Sequence, residues 1–116
     1  MNIIAQGLKF PEGPIAMDDG SVLLVEIARG TLSRVLPNGE VEVVAELSGG
    51  PNGAAIGPDG ACYVCNNGGM VFHETSGGLL FPGAQPEDYI GGRIQRVDLD
   101  SGAFETVYDA CDGTPL

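Results

Sequence analysis

The sequence predicts an all-β chain made of two copies of a roughly 40-residue, four-stranded antiparallel unit. Three observations carry this expectation. Pro11-Glu12-Gly13 recurs as Pro51-Asn52-Gly53, and Asp19-Gly20 recurs as Asp59-Gly60, both at an offset of 40. Leu32-Ser33-Arg34-Val35 is echoed by Ile94-Gln95-Arg96-Val97 at an offset of 62, so the second copy carries an insertion in its middle. The 116 residues include 19 glycines and 8 prolines alongside aliphatic runs such as Val22 to Val25 and Val41 to Leu47. Disordered sequence lacks such runs, so this composition belongs to many short strands joined by tight turns.

In the first copy, apolar or alternating segments at 12–17, 21–27, 31–36 and 40–47 read as strands. Asp18-Asp19-Gly20 and Pro37-Asn38-Gly39 supply the positive φ that tight hairpins need, and Ala28-Arg29-Gly30 is a three-residue connection of the same kind. The second copy predicts strands near 53–57, 61–65, 93–99 and 103–109, with turns at Pro58-Asp59-Gly60 and Asp100-Ser101-Gly102. No segment shows helical periodicity over ten residues. A four-stranded meander in tandem is the pattern of a β-propeller blade, and such rings need at least about four blades to close. The expectation is therefore the N-terminal part of one propeller domain over 1–116, with blade 1 at about 11–47 and blade 2 at about 51–110. The sequence is read as part of a longer gene product, with assembly of several chains into one ring as the alternative. In either case a blade without its neighbour exposes an apolar face, so the isolated chain is expected to self-associate or to need the missing blades.

Sixteen acidic against five basic residues give a net charge of −11, which disfavours nucleic acid and anionic membrane surfaces as partners. The carboxylates are scattered, as on a solvated acidic surface. No stretch approaches the ~20 apolar residues of a membrane span, and residues 1–10 hold no signal-like apolar core. Three cysteines, Cys62, Cys65 and Cys111, cannot all pair internally, which fits a reducing, cytoplasmic setting. Cys62 and Cys65 have the spacing of a metal half-motif, but in a strand residues three apart point to opposite faces.

In an up-and-down blade, the start of the first strand, the end of the second and the start of the third share one end. Glu12, Asn52 and the insertion 66–92 therefore meet on one face, with the two side chains on neighbouring inner strands. Glu12, held between Pro11 and Gly13-Pro14, is a hard oxygen ligand suited to Ca²⁺, Mg²⁺ or Mn²⁺, or else a strand-start carboxylate bonded to backbone amides. Asn52 offers a carbonyl oxygen to a cation and an amide to a hydroxylated substrate, although Pro-Asn-Gly is also an ordinary turn tripeptide. The 27-residue insertion opens with Asn66-Asn67-Gly68-Gly69 and has the length of a functional rim or lid. His73, the one histidine, lies there beside Glu74 with no nucleophile elbow to serve. Gly49-Gly50-Pro51-Asn52-Gly53 lacks the lysine and helix of a phosphate loop.

The run Gly7 to Pro14, followed by Asp19-Gly20-Ser21 and Val25-Glu26-Ile27, resembles the first blade of the gluconolactonase, regucalcin (senescence marker protein) and luciferin-regenerating-enzyme family. Gly50 to Gly60 with Tyr63 to Gly69 resembles its second. The resemblance implies a six-bladed propeller that holds one divalent cation and hydrolyses lactones of sugar acids or related small esters. The expected cation is Ca²⁺ foremost, with Zn²⁺, Mg²⁺ or Mn²⁺ as alternatives. Glu12 matches the family's first-blade metal ligand, and Asn52 matches an asparagine at the substrate site. The remaining ligands and the proton-transfer Asp belong to later blades, so no catalytic residue is assigned within 1–116 and the isolated chain is expected to be inactive. Two other readings compete: a non-catalytic interaction scaffold, and a calcium-binding protein without turnover.

Overall fold

A computed structural model describes residues 1–116. Strands β1 (Pro11–Ala16), β2 (Val22–Glu26), β3 (Thr31–Val35) and β4 (Val41–Glu46) form one antiparallel sheet in that spatial order. The second copy begins with β5 (Pro51–Ile56) and β6 (Cys62–Asn66), after which the insertion folds its own hairpin, β7 (Phe72–Glu74) and β8 (Leu80–Pro82). The chain then returns as β9 (Arg93–Val97), beside β6, and β10 (Phe104–Tyr108), giving a second four-stranded sheet. A short hairpin of β11 (Ala110–Cys111) and β12 (Thr114–Pro115) follows, which the repeat does not announce. The chain has no helix, so none is long and apolar enough to cross a membrane.

The repeat is chemical as well as geometric. At each copy's first turn an aspartate accepts the N–H two residues on, from Ser21 to Asp19 at 2.9 Å and from Ala61 to Asp59 at 3.1 Å. Each of these aspartates also meets the arginine of the third strand, Arg34 to Asp19 at 3.7 Å and Arg96 to Asp59 at 2.9 Å. Hydrogen bonds hold both aspartates below their ordinary range, led by one from the Ser21 hydroxyl at Asp19 and one from the Tyr63 hydroxyl at Asp59.

The core lies between the sheets. Val25, Leu32, Ala45 and Leu47 of the first copy pack on Cys62, Val64 and Val97 of the second. Cys62 and Cys65 point to opposite faces, the former buried and the latter exposed, and burial pushes the Cys62 thiol up to about 11. Because strand residues alternate, the face opposite Val25 and Leu32 presents Glu26, Thr31 and Ser33. That face is covered by the N-terminal segment, whose Lys9 N–H donates to Glu26 and whose Gly7 carbonyl accepts from Arg29.

The sheets stack front to back. The register pairs Val25 with Leu32 in the first sheet and their repeat equivalents, Cys65 and Ile94, in the second. Val25 and Leu32 are fully buried by the second sheet, whereas Cys65 is exposed and Ile94 half-buried.

Candidate functional site

The heads of the two inner strands carry the site residues predicted above. Glu12 pairs with Val25, and the β1–β2 register then shifts before Ile15, so a bulge falls at Gly13-Pro14. Proline suits this position because it has no N–H to contribute to the ladder. Gly13 has φ +56° and lies against the neighbouring copy: a Cβ there would sit 3.4 Å from the Ala54 nitrogen and the Gly53 Cα. Only glycine combines that backbone with that approach. In β5 the register shifts between Pro51 and Gly53, which leaves Asn52 as the unpaired residue. Bulges re-aim side chains at strand ends and recur beside functional sites.

Glu12 and Asn52 thus stand at the same end of adjacent inner strands, and both are exposed. Glu12 accepts no hydrogen bond from backbone amides, unlike the alternative reading of a strand-start carboxylate, and the residue is exposed. Asn52 lines a groove of about 370 Å³ with Asn66, Asn67, Tyr89 and Arg93. The insertion reaches this end: the Phe72 ring packs on Phe10 at a centroid distance of 5.3 Å, one residue before β1 begins. His73 and Glu74 are neighbours on β7 and so point to opposite sides of the hairpin.

The buried polar residues at this end are different ones. Glu26, fully buried at the end of β2, accepts from the Lys9 N–H at 2.7 Å, Arg29 Nε at 2.9 Å, Thr31 Oγ1 at 3.2 Å and Ser33 Oγ at 2.6 Å. Burial pushes its carboxyl up, but the bonds from Ser33, Arg29 and Lys9 outweigh this and leave it below its ordinary value. Its repeat equivalent is Asn66, also buried. Asn66 Oδ1 accepts from the N–H groups of Gly50 and Gly68, and Nδ2 donates to the Ser48 carbonyl and to Gln95 Oε1. One amide therefore ties the connection between the two sheets, the root of the insertion and the third strand of the second sheet together. The sequence signal for both residues was present in the 40-residue offset between Glu26 and Asn66, each ending an apolar second strand.

Two tandem four-stranded antiparallel meanders, stacked front to back with polar residues at the heads of their inner strands, define an all-β repeat protein. Residues 10–116 match the family model of the SMP-30/gluconolactonase/LRE-like region, and the chain belongs to that family. Among solved structures it is similar to the selenomethionine-substituted virginiamycin B lyase from Staphylococcus aureus, at 16% identity and a TM-score of 0.43. That similarity covers 83% of this chain and 40% of the lyase chain. No curated protein matches the chain.

Proposed function

We propose that this chain forms the first two blades of a six-bladed, divalent-metal-dependent hydrolase acting on lactones of sugar acids or related small esters. The observation that carries the reading is the exposed, unbonded Glu12 carboxylate beside a bulge at an inner strand head, next to Asn52 at the same point of the following copy, in a member of this family. The additional blades are supported by the second sheet, whose Cys65 and Ile94 lack the cover that buries Val25 and Leu32. A third blade seated there repeats the packing of the second on the first.

The donor chemistry fits a hard cation in part. Glu12 supplies one carboxylate, and no three His, Cys, Asp or Glu side chains of this chain gather into a group able to hold a metal. Ca²⁺ takes six to eight oxygens, so Glu12 is one ligand of a shell completed by later blades. A bound cation supplies Lewis-acid polarisation of a carbonyl and a more acidic water. The role of this chain is then to present Glu12 in a fixed direction through the Gly13-Pro14 bulge, and to orient the substrate with the Asn52 amide. The test is steady-state lactone hydrolysis in a chain carrying the remaining blades. Asn52→Ala is expected to raise KM more than it lowers kcat, whereas Glu12→Gln is expected to remove most turnover. Wild-type kinetics for both variants contradict the assignment.

A further inference from the structure

We infer that Arg93 forms a binding site for a small carboxylate anion, in the cavity of about 280 Å³ between the inter-blade connection and the insertion. The chain has four arginines, and three of them pair with carboxylates: Arg29 with Glu26, Arg34 with Asp19 and Glu42, and Arg96 with Asp59. Arg93 is the exception and is only 8% exposed. A buried charge is normally paired. The guanidinium of Arg93 instead donates to two backbone carbonyls, Leu47 at 3.3 Å and Gly91 at 3.4 Å, both at the long end of the hydrogen-bonding range. Carbonyl dipoles leave the positive charge uncancelled, in a chain with sixteen acidic residues available to cancel it.

The repeat shows how this arises. In the first sheet Glu26 pairs in register with Thr31, and in the second their equivalents are Asn66 and Arg93. The carboxylate has become a neutral amide at the same point where a cation has been added. The anion missing from the second copy is therefore one that the chain itself does not supply there. Asp88 lines the same cavity and forms no ion pair with Arg93.

Two further features favour a small planar anion. Glycine at 49 keeps the guanidinium accessible, since a Cβ there would lie 2.9 Å from Nη2. The guanidinium has five N–H donors in a planar fork, and with two N–H groups given to carbonyls the rest match a carboxylate. Arg93 also lines the groove that holds Asn52, so an acid bound in either space reaches the same guanidinium. The inference needs neither a metal nor the lactonase reading.

The test is a titration of the ¹⁵N-labelled chain with sodium acetate at constant ionic strength, following the backbone amides of Gly49, Gly68 and Gly69 and the Arg93 Nε–H. Saturable shifts at these resonances are expected in the wild type, with Arg93→Gln weakening acetate at least tenfold. Arg93→Lys keeps the charge and loses the fork, and is expected to weaken acetate several-fold; it also serves if the glutamine variant does not fold. Asp88→Asn is expected to strengthen binding by removing a like charge. Absence of saturable shifts in the wild type overturns the site. So does loss of binding in Asp88→Asn, and inorganic phosphate binding as tightly as acetate overturns its carboxylate chemistry.

Discussion

Replacing Glu26 by glutamine is expected to cost about 3 kcal/mol of stability, as follows from its four hydrogen bonds. Glutamine keeps one acceptor oxygen for the Lys9 N–H and Arg29 while its NH₂ donates to the Thr31 and Ser33 hydroxyls, so what is lost is the negative charge that strengthens all four bonds. Hydrogen bonds to a charged group contribute about 1.5–3 kcal/mol each against about 0.5–1.5 kcal/mol between neutral groups, so the Lys9, Thr31 and Ser33 bonds weaken by about 1 kcal/mol each, while Arg29, with its side chain 40% exposed, recovers its loss in water. For a domain of this size 3 kcal/mol corresponds to a fall in Tm of roughly 12 °C. Circular dichroism melts at neutral pH measure it. The same carboxylate makes the fold acid-sensitive. Its folded pKa is lowered from 4.5, so its contribution is complete above that value and is lost as pH falls through the folded one. Glu26→Gln should therefore flatten the acid limb of the stability profile below pH 4.5. A Tm within about 2 °C of wild type, with an unchanged acid limb, refutes the view that these bonds anchor the N-terminal segment.

Three other outcomes follow from the packing. At concentrations where the chain is monomeric, native protein should react with a thiol reagent at Cys65 and Cys111 only, and Cys62 should react after denaturation, because Cys62 is buried and burial raises its thiol pKa to about 11. Gly13→Ala should destabilise by about 1–2 kcal/mol in denaturant melts, from the left-handed backbone together with the 3.4 Å approach to the neighbouring copy. The isolated chain should self-associate through the face bearing Cys65 and Ile94, so Ile94→Lys should shift sedimentation toward monomer, and an unchanged distribution counts against that face.

The eight strands of the two larger sheets were legible because turn residues punctuate short apolar runs twice over, and their predicted bounds lie within a few residues of those observed. The shared end of Glu12, Asn52 and the insertion followed from the up-and-down order alone. Glu26 was less legible. Within Val25-Glu26-Ile27 a period of two assigns the glutamate to solvent, but the N-terminal segment covers that face, so both sides of the sheet are buried and alternation no longer separates core from surface. Arg93 was hidden for a related reason: its burial depends on the connection at 47–49 and on the insertion root, segments distant from it in sequence. The β7–β8 hairpin lay inside a stretch read as loop, since three-residue strands carry too little periodicity to register.

Calorimetric titration of Ca²⁺ into a chain extended by the blades proposed above, as wild type and as Glu12→Gln, tests whether Glu12 is a metal ligand. Glu12 is exposed and makes no internal hydrogen bond, so the substitution should leave Tm in the metal-free state unchanged to within the effect of an ordinary surface mutation, about 0.5 kcal/mol. Ca²⁺ binding at least tenfold weaker in the variant is expected against this unchanged fold. Equal Ca²⁺ affinity in the two proteins contradicts it.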